Sequence, residues 1–198
     1  MFCAAGRPGF VTDALADVLA TDRPDLVVAQ TWTGAAPNNG GRVVLFFGTN
    51  SAATLGTSTA TSIELRGDST NRIGSTARII PDLDGDGLAE VAIAMPFFNA
   101  GLANQGRVLI YKGRSFAAWS AARTATDATT TVPYIPVSAA TASWVIDGPS
   151  PLLVSPAGNA FGQNRWGLVS VGDLNADGVT DIAIPMSRAS INRYRVFS

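Results

Sequence analysis

The sequence predicts an all-β chain made of repeated small antiparallel sheets, and three observations carry the prediction. Short apolar stretches rich in β-branched residues recur along the 198 residues, two of them led by Gly-Arg: GRVVLFFG at 41–48 and GRVLIYKG at 106–113. Two acidic loops are near copies of each other, DLDGDGLAEVAIAMP at 82–96 and DLNADGVTDIAIPMS at 173–187, and each passes at once into an apolar strand. Self-comparison then sets three units in register, each with an aspartate-led loop, a strand, and a strand led by Arg or Gly-Arg.

The first unit has the loop Asp17 to Asp25, then LVVAQ, GRVVLFFG and SIELRG (62–67). Unit two has the loop that starts at Asp82, then EVAIAMP, GRVLIYKG and SWVIDG (143–148). The third leads through FGQNRWGLVSVG into the loop at Asp173, then DIAIPMS and RYRVFS. The second and third loops lie further apart than the first and second, and the excess falls mainly in Arg114 to Ala142, rich in Ala and Thr. Its front, SFAAWSAA, predicts one or two helical turns; the remainder predicts an extended surface loop without a function of its own. Four short strands per unit is the pattern of a β-propeller blade, in which each twisted sheet covers its neighbour's face. The expected organisation is therefore one partial propeller over 1–198. Blade one covers about 9–68, blade two about 73–148 with the insertion 114–142, and an incomplete blade three about 160–198.

The loops carry the chemistry. Asp82, Asp84, Asp86 and Glu90 crowd four carboxylates into nine residues, and such charges repel unless a cation sits among them. Oxygen-bearing side chains at positions one, three, five and nine converge on one point, and hard oxygens select calcium or magnesium. The corresponding set in the third unit is Asp173, Asn175, Asp177 and Asp181. Position six is Gly87 or Gly178, where the backbone turns sharply, and position seven, Leu88 or Val179, supplies a main-chain carbonyl. An EF-hand is excluded, because its position twelve needs an acid and these loops have Ile93 and Ile184, each on a β-rich stretch. In the first unit Leu19 and Thr21 replace two ligands, so no metal is expected there.

Composition removes other functions. A net charge of −1 with scattered basic residues gives no electrostatic case for nucleic acid or an anionic membrane. No apolar run approaches a transmembrane span, and the first twenty residues lack the basic and apolar regions of a secretory signal, so a mature form or a fragment is expected. The single Cys3 has no internal disulfide partner and reads as a bystander. Histidine is absent, which removes the commonest general base and the usual zinc ligand together.

In these features the chain resembles the FG-GAP repeats of the integrin α-subunit propeller and its bacterial relatives. Phe161 and Gly162 match the opening of that repeat and Ile73 and Gly74 match it in part. Its calcium-loop pattern is matched at Asp82, Asp84, Asp86, Gly87 and Glu90 and at Asp173, Asn175, Asp177, Gly178 and Asp181. The Gly-Ala-Pro ending has drifted to Ala94, Met95, Pro96 and to Pro185, Met186, Ser187. The resemblance implies two calcium sites, one held by Asp82, Asp84, Asp86, Glu90 and the Leu88 carbonyl and the other by Asp173, Asn175, Asp177, Asp181 and the Val179 carbonyl. It also implies an extracellular, cell-surface or periplasmic setting and a role in binding protein or glycan rather than catalysis. Such propellers close with about seven blades, so further blades or subunits are expected to complete the ring. The alternatives are an accessory or catalytic segment of a secreted hydrolase, or a purely structural repeat. Arg66, Gly67 and Asp68 spell the tripeptide that integrins recognise, but Gly67 aligns with Gly148 of the next unit and is explained by the repeat. The aromatics Phe46, Phe47, Tyr111, Trp144 and Trp166 are expected on strands, packing between blades or, where exposed, offering a sugar platform.

Overall fold

A computed structural model describes residues 10–11, 16–30, 40–48, 62–68, 73–74, 76–96, 98–99, 105–127, 131–148, 160–161, 169–188 and 191–197. The strands in chain order are β1 (Phe10–Val11), β2 (Leu26–Gln30), β3 (Arg42–Phe46), β4 (Ser62–Arg66), β5 (Ala77–Ile80), β6 (Glu90–Met95) and β7 (Arg107–Tyr111). A short helix α1 (Phe116–Ala121) follows, then β8 (Ala125–Thr126), β9 (Pro133–Pro136), β10 (Trp144–Asp147), β11 (Ala160–Phe161), β12 (Val169–Gly172), β13 (Asp181–Arg188) and β14 (Ile191–Phe197). The architecture is all-β. No helix among the described residues is long and apolar enough to cross a membrane.

The strands form three sheets, ordered β1-β2-β3-β4-β9-β8, then β10-β7-β6-β5, then β11 and β12 on one side of β13 with β14 on the other. Within each sheet the neighbouring strands of one unit run antiparallel, which short connections permit. The middle sheet is covered on both faces, and strand alternation decides what each face meets. Val91, Ile93 and Met95 of β6, with Leu109 and Tyr111 of β7, join a core shared with Val27, Ala29, Val43, Leu45, Ile63 and Leu65 of the first sheet. Ala92 and Ala94, with Val108 and Ile110, face the other way onto Ile182 and Ile184 of β13. That is why EVAIAM is apolar at nearly every position: a strand buried on both faces has no solvent side to mark with polar residues. Each fully buried Val, Leu, Ile or Met side chain stabilises the stack by about 1.5–3 kcal/mol, and each alanine by less. Face-to-face stacking of small sheets, with β5 set beside β2 and β12, is propeller geometry.

The segment 114–142 departs from expectation beyond its helix. Ser115 caps α1, its hydroxyl accepting the Ala118 N–H at 3.3 Å, as SFAAWSAA suggests. The described residues beyond the helix are not a surface loop. Strand β9 pairs in parallel with β4 of the first sheet, Leu65 opposite Ile135, and β8 pairs with β9. Trp119 is fully buried in the core between the first two sheets, 6.2 Å from Tyr111 by ring centroids, with its indole N–H donated to the Val18 carbonyl at 3.4 Å. Ile135 and Val137 join the same core. Arg66 forms ion pairs with Glu64 and with Asp127 of the segment, and Arg123 donates to the Ser62 carbonyl at 2.6 Å. Pairing β4 with β9 covers a strand edge that would otherwise invite another chain. The same ion pairs hold the arginine of the Arg66, Gly67, Asp68 tripeptide against its own protein.

Of the five aromatics expected on strands, Phe46 and Tyr111 are buried, and Trp144 is half-buried on β10. Phe47 lies just beyond β3, its ring 4.5 Å from that of Phe116. Trp166, Cys3 and Gly162 lie outside the described residues.

Candidate metal centre

Each acidic loop joins the strand pair at the start of its unit. The Asp82 loop connects β5 to β6 and the Asp173 loop connects β12 to β13, so the residue at position nine opens the next strand. Glu90 faces Ile80, and Asp181 faces Gly172, across their registers. Both carboxylates are completely buried, whereas the other loop carboxylates reach solvent at least in part.

The loops share a hydrogen-bonded frame. In the Asp82 loop the Asp82 carboxylate accepts from the N–H groups of Asp84, Gly85 and Gly87 at 3.1, 2.7 and 2.7 Å. In the other, Asp173 accepts from Asp177 at 3.1 Å and Gly178 at 2.8 Å. Position nine binds position two: Leu83 donates to Glu90 and Leu174 to Asp181, each at 2.7 Å. Position seven donates to position five, Leu88 to Asp86 at 2.9 Å and Val179 to Asp177 at 2.8 Å. Gly87 and Gly178 have φ of 87° and 88° with nothing within 4 Å of where a Cβ would stand, so the turn, not crowding, requires glycine.

The loop of the first unit keeps this frame although Leu19 and Thr21 replace two of its ligand positions. Asp17 accepts from Thr21 and Asp22, and Asp25 accepts from Val18 at 2.7 Å and Leu19 at 2.9 Å. Positions four and six are left-handed in all three loops: Ala20 and Asp22, Gly85 and Gly87, Ala176 and Gly178. The requirement at position four escapes sequence reading, because alanine fills it twice. One difference separates the first loop from the others. Both oxygens of Asp25 are satisfied, the second by the Gly48 N–H at 2.9 Å. In the other two loops one oxygen at position nine, Oε1 of Glu90 and Oδ1 of Asp181, is buried without a hydrogen-bond partner. A buried carboxylate oxygen in that condition is costly, and a cation among the loop carboxylates would satisfy it.

The electrostatics differ along the Asp82 loop. Burial, opposed by the Leu83 N–H and reinforced by Asp84, Asp82 and Asp86, pushes the Glu90 carboxyl up to about 7. Burial is the largest single influence on Asp82 and raises its carboxyl, but the backbone N–H groups of Gly87, Gly85, Asp84 and Asp86 together outweigh it and hold the group below the usual carboxylate range. One ligand atom from each of Asp82, Asp84, Asp86 and Glu90 lies within 4.8 Å of the others. Asp173, Asp177 and Asp181 do not converge in this way, and Asn175 donates its side-chain amide to Asp177 at 2.9 Å. The chain's single lysine, Lys112, forms an ion pair with Asp84 at the edge of the cluster. The sequence marks it as the one lysine, which speaks against a hydrolase, but does not show its pairing with the loop.

A family model described as the FG-GAP repeat matches residues 74–111, the stretch that holds β5, the Asp82 loop, β6 and β7. A search of curated proteins found no match to the chain.

Proposed function

We propose that the chain is a calcium-binding propeller module that works outside the cytoplasm, at a cell surface or in a periplasm, by binding a protein or a glycan. The observation that carries the metal reading is the fully buried Glu90, with one oxygen unpartnered and three further carboxylates gathered beside it. Calcium prefers several oxygen ligands in a flexible arrangement, and a nine-residue loop with alternate carboxylates offers that. Asp82, Asp84, Asp86 and Glu90, with the Leu88 carbonyl, would hold one ion. Asp173, Asn175, Asp177 and Asp181, with the Val179 carbonyl, would hold a second. The first loop takes none, because Gly48 already satisfies Asp25. A bound ion would supply positive charge that ties the loop to the strand behind it, and the residues do the rest: Glu90 and Asp181 anchor, and the outer carboxylates close over the ion.

The module is read as a binding element rather than an enzyme, since its clustered acids stand at ligand spacing. Titration calorimetry with calcium chloride tests the metal reading, with two sites as the expected count. Absence of heat, together with melts that calcium leaves unchanged, would sink it. Glycan and protein arrays probed with and without calcium test the binding role. Hydrolase assays on the same protein address the alternative.

A further inference from the structure

The residue at position three of each loop and the residue one step past the third strand of its unit change character together. The registers Leu26 to Phe46 and Val91 to Tyr111 are equivalent, so Phe47 and Lys112 occupy one repeat position, and the residue that follows Phe197 in the sequence of the third unit is Ser198. Their position-three counterparts are Leu19, Asp84 and Asn175. The pairs are apolar, oppositely charged and neutral polar. In the first unit Leu19 is buried in the core and Phe47 packs against that core. In the second, the Lys112 ammonium pairs with Asp84 Oδ2, one of the four converging carboxylates. The charge that Asp84 adds to its loop, relative to Asn175, is matched by the charge that Lys112 adds relative to Ser198.

We propose that Lys112 is a resident counter-cation of the Asp82 loop, which competes with the divalent ion for Asp84 and is displaced when that ion binds. The proposal rests on the metal reading above. Four carboxylates and one ammonium leave the same net charge as the three carboxylates and one amide of the Asp173 loop, so the richer loop gains no affinity from its extra acid. It gains discrimination instead. Exchanging one monovalent cation for another leaves the electrostatic energy little changed, whereas a divalent ion adds a charge, so Lys112 biases the loop against sodium and potassium. The ammonium has somewhere to go. Its nitrogen already lies 5.3 Å from the centroid of the Trp144 ring, and the register of β10 on β7 sets Trp144 opposite Ile110, two residues before Lys112. An indole face is an established partner for an ammonium that has lost its carboxylate.

The experiment uses the single lysine as its own reporter. Reductive methylation with carbon-13 formaldehyde keeps the charge and gives one lysine signal, distinct from the amino terminus. Titrating calcium chloride into this protein moves the methyl signal with the midpoint of the calorimetric isotherm for the Asp82 loop, and sodium chloride at equal ionic strength does not. In the Lys112→Gln protein the same loop binds calcium about two- to five-fold more tightly, the range that exposed ion pairs support, while the Asp173 loop is unaffected. A methyl signal indifferent to calcium, or equal affinities in the two proteins, overturns the proposal and leaves the metal reading standing. No calcium binding in either protein overturns both. The methyl titration is carried out on the unsubstituted chain and so does not depend on the variant folding.

Discussion

Replacing Glu90 by Gln separates the cost of the buried charge from its use. The side chain has no solvent exposure, Oε2 takes the Leu83 N–H, and Oε1 has no partner. Its carboxyl is raised from 4.5 to about 7, first by burial and then by the three neighbouring carboxylates, and at 1.36 kcal/mol per unit this amounts to roughly 3 kcal/mol. The sign follows from proton counting. Between these values the folded protein binds more protons than the unfolded chain, so stability falls as pH rises from 4.5 towards 7 and stays low above it. Gln keeps the acceptor for Leu83, carries no charge and offers an amide to the surrounding acids. In the presence of a chelator at pH 8 the Glu90→Gln protein should therefore melt higher than the parent by roughly 6–12 °C, at about 2–4 °C per kcal/mol for a chain of this size. The gap should close as pH falls through 4.5, where the parent carboxyl is neutral in both states. Adding calcium at pH 8 should raise the parent and leave the variant's Asp82 loop without effect. Scanning calorimetry over pH and calcium reads all of this. A variant that melts below the parent in chelator at pH 8 would refute the reasoning, since it would show that the charge is already compensated within the protein.

Three further outcomes are expected. Asp17→Ala should leave the number of calcium ions counted by calorimetry unchanged, because its carboxylate serves the backbone of Thr21 and Asp22; loss of a bound ion would contradict that. Calcium affinity should be weak, on the order of 10⁻⁴ to 10⁻³ M as in extracellular modules, so sub-micromolar binding at both loops would argue against an exported protein. Trp119→Ala should cost about 3–5 kcal/mol by chemical denaturation, because a fully buried indole is removed from the core between two sheets; a loss below about 1 kcal/mol would mean that 114–142 does not brace them.

How much of this was legible depends on whether a residue's role is local or supplied by a partner distant in sequence. The three loops could be read because position and chemistry coincide within nine residues, and the strands that follow were plain from their β-branched runs. Position nine showed as an acid, but its burial did not, since burial depends on the neighbouring sheet whose Ile182 and Ile184 pack on Ala92 and Ala94. The segment 114–142 misled because its composition is that of a linker. What fixes it is a few residues, Trp119, Asp127, Ile135 and Val137, whose partners Val18, Arg66 and Leu65 lie many residues earlier.

Lys112 shows the same limit with a functional consequence. Read locally it is a charge at a strand end, worth little. Read through the repeat it stands where Phe47 stands, and its partner Asp84 stands where Leu19 and Asn175 stand. Ranking the two loops by carboxylate count alone would make the Asp82 loop the tighter. Counting the ammonium with the carboxylates removes that advantage, and geometry then decides: Glu90 brings a longer arm than Asp181, but its loop gathers four ligand atoms within 4.8 Å, which the Asp173 loop does not match. On the proposed reading the Asp82 loop is thus the better preorganised of the two, and a cation of its own holds its affinity for calcium down.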